Sequence, residues 1–95
     1  MLQLPPQLTH TTASACLLDL GAVLPAEPAG VVVSASGLGR FDSAALAVLL
    51  SLRRQALGLG KTFAVTCLPQ RLADLARLYG IAELLPDHVG SAALK

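Results

Sequence analysis

Along this chain the apolar positions change period several times, and each change marks a new element. Leu2, Leu4 and Leu8 alternate with polar residues around Pro5-Pro6. That alternation predicts a short strand, and proline, which cannot donate to a ladder, places it near a sheet edge. Thr9-His10-Thr11-Thr12 supplies candidate N-caps. Beyond it, Ala13, Cys16, Leu17, Leu20 and Leu24 recur at helical spacing. They predict a helix from about Thr12 to about Leu24, weakened at Gly21 and ended by Pro25. After a loop to Gly30, Val31-Val32-Val33 with Ala35 is a β-branched run without alternation. Such a run predicts a central strand buried on both faces.

The next helix is the one the chain is organised around. It is expected from Ser43 to about Leu57, with Gly58 and Gly60 as stop signals. Ala44, Ala45, Leu46, Ala47, Val48, Leu49 and Leu50 follow one another without a polar break. Burying one face takes an apolar stripe, not a fully apolar surface. One side is therefore expected to pack on the sheet and the other to meet a partner. Lys61 to Cys67 reads as a strand, with Phe63 and Val65 on one face and Thr62, Ala64 and Thr66 on the other. Pro69 opens the last helix, with Leu72, Leu75, Ala76 and Tyr79 inside and Arg71, Asp74 and Arg77 outside. Gly80 suits its left-handed C-terminal residue. Ile81, Leu84 and Leu85 form a last apolar patch before Pro86, and 87–95 reads as a weakly helical or disordered tail.

Strand and helix thus alternate three times. The expected architecture is a single α/β domain over 1–86, a small, mostly parallel or mixed β-sheet packed against α-helices with right-handed crossovers. Composition adds to this picture at one point. Hydrophobic residues make up 54% of the chain and charged residues 14%, against an average of about 25% charged. That is more apolar surface than a small domain needs to hide, and part of it is expected under another protein. The net charge of +1, with scattered Lys and Arg, one Tyr, no Trp and two Phe, argues against nucleic-acid binding. The N-terminus lacks a basic region and a long apolar stretch, and no apolar run approaches the roughly 20 residues of a membrane span. A soluble cytoplasmic protein without direct membrane insertion is expected. Cys16 and Cys67, far apart and in no metal-binding spacing, read as buried free thiols.

Candidate chemistry is sparse. Gly37-Leu-Gly39 precedes a helix, but the position three past Gly39 is Asp42, and no Lys-Ser/Thr pair follows. A nucleotide-phosphate loop is disfavoured, because the carboxylate would repel a pyrophosphate. Ser43 is the sharpest single residue. Asp42 or Ser43 is expected to cap the helix. The Ser43 hydroxyl would also be displayed at a helix N-terminus, where phosphate is favoured by the dipole and opposed by Asp42. His10 and His88 read as surface or capping histidines, and the six carboxylates are dispersed. No metal-ligand cluster or catalytic ordering stands out, so neither an enzyme nor a cofactor is expected. Arg53-Arg54 reads as a solvated helix end, with contact to an acidic partner patch as the functional alternative.

A buried strand, a short loop, Asp42-Ser43, then Ala45-Leu46 opening an apolar helix resembles the signature of STAS domains. In that family an Asp-Ser/Thr-x-Gly motif begins the helix after the central strand; here Ala45 stands at the glycine position. Phe41 to Leu50 resembles the same region in the STAS subunits of Mla-type phospholipid ABC transporters. Leu72-Ala-Asp-Leu-Ala-Arg-Leu-Tyr-Gly-Ile81, followed by Leu85-Pro86, is similar to their C-terminal helix and its ending. The resemblance covers about Leu2 to Pro86. It implies a non-catalytic cytoplasmic subunit, peripheral to the inner membrane, that binds and supports the transporter's ATPase. Carried over by position, Asp42, Ser43, Ala44, Ala45 and Leu46 would lie at the contact, with Ala47 and Leu50 as the next exposed turns. The founding members of the family are anti-sigma-factor antagonists, whose Ser/Thr is phosphorylated by an anti-sigma-factor kinase. That alternative implies phosphorylation at Ser43.

Overall fold

The computed structural model describes residues 1–85. The expected tail at 87–95, with His88, lies outside the described residues. Strand β1 (Leu2–Gln3) begins the chain, and β2 (Gln7–Leu8) follows the two prolines. Helix α1 (Ala13–Val23) runs into a 3₁₀ turn at Leu24–Ala26. Then come β3 (Gly30–Ser34), β4 (Arg40–Phe41), α2 (Ala44–Gly58), β5 (Thr62–Thr66) and α3 (Gln70–Leu78). A second 3₁₀ turn spans Ala82–Leu84.

The main sheet has the order β1-β3-β5, and both of its pairings are parallel. β3 is therefore central, as its valine run predicts. Val31 lies opposite Phe63 and Val33 opposite Val65. All four point into the core, while Val32 is only partly covered. The β-branched run thus fills one face completely and shares the other. The fold is α/β with parallel pairing throughout the described residues.

The prolines explain why the first strand breaks in two. Pro5 and Pro6 cannot donate to a ladder. The chain leaves β3 after Leu4, whose N–H still donates to the Ser34 carbonyl at 2.9 Å. It then pairs elsewhere. Pro6 keeps its carbonyl, which accepts from the N–H groups of Gly39 and Arg40 at 2.8 and 3.0 Å. These bonds begin a second, two-stranded parallel sheet in which Gln7 faces Arg40 and Leu8 faces Phe41. The short loop read from sequence between the buried strand and Asp42-Ser43 therefore contains a strand, β4.

α2 packs against α1 and against β5. It buries Ala45, Leu46, Val48, Leu49, Leu52 and Ala56. Gly60 and Gly80 take φ of +76° and +73°, the left-handed values that end helices and that glycine adopts without a Cβ clash. Three expectations are corrected. Tyr79 is 55% exposed rather than part of the inner stripe of α3; the helix ends at Leu78, so the side chain leaves its apolar face. Cys67 is exposed, not buried, because it turns the chain at φ 60° just after β5. Thr12 occupies the N-cap position of α1 but makes no side-chain cap bond. Its hydroxyl oxygen accepts the Thr9 N–H at 3.0 Å instead, so the threonine cluster folds on itself.

Candidate functional site

The N-terminus of α2 is built by Asp42. The Ala44 N–H donates to Asp42 Oδ1 at 2.8 Å, and the Ala45 N–H to the Asp42 carbonyl at 3.0 Å. This is an Asx-type cap that satisfies an otherwise orphaned amide. The other carboxylate oxygen reaches across the fold. It accepts the backbone N–H of His10 at 3.2 Å and lies 3.3 Å from His10 Nδ1. One carboxylate thereby joins the β2–α1 turn to the start of α2. Ser43, the alternative cap, has no side-chain cap bond. It is exposed and has helical backbone angles, immediately before the first residue of α2. The amides that a Ser43 hydroxyl could cap, those of Ala45 and Leu46, already donate to the Asp42 and Ser43 carbonyls at 3.0 and 3.1 Å.

These bonds act on the charged form of Asp42. Its carboxyl is held below its ordinary value, first by the Ala44 N–H and then by the His10 N–H, with the His10 ring adding to both. A group with a lower pKa folded than unfolded contributes stability above the unfolded value, about 3.9 for Asp. That contribution is lost as pH falls through the folded value. An NMR titration of the Asp42 side-chain carboxyl is expected to give a midpoint below about 3.9. A midpoint at or above that value would contradict the bonds from Ala44 and His10.

Along α2 the side chains divide sharply. Ser43, Ala47 and Arg54 are exposed, with Ala44, Leu50 and Ser51 half-buried. Positions 43, 47, 50 and 54 fall on one line down a helix. Ala45 and Leu46 do not belong to this surface: they are 0% and 2% exposed. Their assignment to a contact surface is corrected, because their positions turn them into the core beside Leu49. The methyl group of Ala45, where the motif has glycine, is accommodated there. The remaining residues carried over by resemblance, Asp42, Ser43, Ala44, Ala47 and Leu50, lie at or along the uncovered line.

Beside the start of this line is a feature that sequence reasoning missed. Phe41, Arg71, Asp74, Leu75 and Leu78 surround a notch of about 330 Å³. The Arg71 guanidinium carbon lies 5.4 Å from the centre of the Phe41 ring, within cation–π range. Thirty positions separate these partners, and no local pattern announces the pairing. Elsewhere, a larger and mostly apolar groove of about 520 Å³ lies between the Gln3–Gln7 segment and α1. Its one thiol, Cys16, has its pKa raised by burial and then by Asp19. It is thus held protonated and is a poor nucleophile. Among the described residues no group of three or more His, Cys, Asp or Glu is placed to hold a metal ion. No helix among them is long and apolar enough to cross a membrane.

A family model described as "Mlab, STAS domain" matches residues 1–86. No individual curated protein shows significant similarity to the chain. The match spans both parallel sheets and the three helices of the described residues, with the Asp42-Ser43 junction, and the chain belongs to the MlaB-like STAS-domain family.

Proposed function

We propose that this chain is a non-catalytic accessory subunit that docks on the ATPase of a Mla-type phospholipid ABC transporter. The contact runs down the line of α2 that starts at Ser43. The observation that carries this reading is the division of α2 itself. A wide face is sealed in the core, while Ser43, Ala47 and half-buried Ala44 and Leu50 stay uncovered in a line. Small side chains there let a partner's backbone approach closely. Asp42 fixes the start of the line by tying it to His10, so the surface is pre-formed and little ordering is required on binding. In this role the domain sits in the cytoplasm and reaches the inner membrane only through its partner. It supplies no reacting group; its contribution is to stabilise the ATPase in a competent conformation.

The test is co-expression of the full chain with the ATPase subunit of the same organism's Mla-type transporter, with affinity purification through the ATPase. Stoichiometric recovery is expected for the wild type, and loss of recovery for a variant that obstructs the line at Ala47. Recovery of neither, or of both equally, would end this reading.

One observation supports a second reading, an anti-sigma-factor antagonist. No hydroxyl bond within the described residues engages Ser43, so the oxygen is free to accept phosphate from a partner kinase. Intact mass after incubation with the organism's anti-sigma-factor kinase distinguishes the two. Addition of one phosphate, absent in Ser43→Ala, supports the antagonist; an unchanged mass supports the transporter subunit.

A further inference from the structure

Charge is distributed unevenly along this chain. Residues 1–39 contain no Lys or Arg, whereas six of the chain's seven fall between Arg40 and Arg77. The same stretch has two carboxylates, Asp42 and Asp74. Both are engaged: Asp42 by His10 and the helix amides, and Asp74 by Arg77 and by Gln70 Nε2 at 2.9 Å. Arg40, Arg54 and Arg71 are exposed and form no ion pair among the described residues. Arg71 stands out among them. Its guanidinium lies over the face of Phe41. A guanidinium stacked in this way keeps its in-plane N–H donors free and pre-orders them for a bidentate carboxylate. Below it, the notch presents Phe41, Leu75 and Leu78, and Leu78 is 76% exposed.

We propose that the notch between β4 and α3 is a second anchor point for the ATPase. It receives an apolar side chain of the partner against Phe41, Leu75 and Leu78, and a neighbouring carboxylate of the partner on Arg71. This rests on the docking reading above and names the chemistry of the partner: an acidic, amphipathic segment. The anchor is continuous with the α2 line, because Phe41 is two residues before Ser43. Charge complementarity selects an acidic group of the partner at Arg71: among the described residues it is the one cation lining the notch, and the Asp74 carboxylate that also lines it is already held by Arg77 and Gln70. The apolar walls select a protein segment over a lipid headgroup, which would satisfy Arg71 and leave Leu78 in water.

The experiment measures the affinity of the full chain for the purified ATPase subunit at low and high salt. It compares wild type, Arg71→Glu, Leu78→Asp and Ala47→Arg, with thermal unfolding of each free chain as a folding control. Wild-type Kd is expected to rise by roughly tenfold between about 50 and about 500 mM salt, because pairing at an exposed rim is screened. Arg71→Glu is expected to weaken binding by roughly tenfold or more and to flatten the salt dependence. Leu78→Asp is expected to weaken binding with the salt dependence retained. Wild-type affinity in both notch variants, with binding lost in Ala47→Arg, would overturn the second anchor and leave the docking reading standing. Wild-type affinity in Ala47→Arg would overturn the docking reading and the anchor with it. Co-sedimentation with phosphatidylglycerol vesicles that is lost in Arg71→Glu, with ATPase affinity unchanged, would overturn the anchor in favour of lipid contact.

Discussion

Arginine at position 47 abolishes association with the ATPase while the domain stays folded: this is the expected result for the most discriminating substitution on α2. Ala47 is exposed, in the middle of the line that begins at Ser43. Arginine is nearly as good a helix former as alanine, and an exposed substitution of this kind shifts stability by only about 0.5 kcal/mol. The free chain should therefore keep its far-UV circular dichroism and its unfolding midpoint. In the complex, a long charged side chain would have to fit where a methyl group allows close approach, and its charge would be buried unpaired. A Kd weakened by about a hundredfold or more is expected. Undiminished binding by a folded Ala47→Arg chain would place the contact elsewhere.

One residue earlier the same substitution has the opposite consequence. Leu46→Arg is expected to unfold the domain rather than merely block a partner. Leu46 is 2% exposed and packs in the core with Ala45, Leu49 and Leu52. A guanidinium there would be placed in a cluster of apolar side chains. Burying an unpaired charge or displacing the core to avoid doing so costs more than about 4 kcal/mol. The whole stability of a small domain is about 5–15 kcal/mol. The expected observation is an aggregated or largely unfolded product, with loss of the cooperative thermal transition. Leu49→Ala, a milder probe of the same layer, is expected to cost about 2–5 kcal/mol. That lowers the midpoint by at least about 10 °C while leaving a folded chain at room temperature. A cooperative transition for Leu46→Arg near the wild-type midpoint would contradict the division of α2 into core and surface. Loss of binding in Leu46→Arg carries no information about the interface, whereas loss in Ala47→Arg does.

The paired substitutions also separate what periodicity conveys from what it leaves open. The extent of α2 was legible: Ser43 to about Leu57 expected, Ala44–Gly58 found. An unbroken apolar run, however, carries no phase. Nothing in Ala44 to Leu50 distinguishes Leu46, which is sealed, from Ala47, which is not. By contrast β5 alternates, and its Phe63 and Val65 point inward as its pattern implies. The second sheet was illegible for a different reason. Two-residue strands are too short for any period to register, and β2 and β4 are held by tertiary pairing around Pro6.

By itself, the sequence determined the three helices, the strands of the main sheet and their order, the central place of the valine strand, the glycine helix ends and the STAS-type junction at Asp42-Ser43. These rest on local chemistry: β-branching, helical spacing and backbone angles that glycine alone adopts cheaply. Only the tertiary structure decided that Asp42 rather than Ser43 supplies the side-chain bond at the start of α2, and only it tied the other Asp42 oxygen to His10, 32 positions away. Only the tertiary structure brought Arg71 over Phe41, and only it turned Ala45 and Leu46 inward while leaving Ser43 and Ala47 outside. Which face of a uniformly apolar helix is buried depends on where the sheet and α1 lie, and that is a property of packing between distant segments.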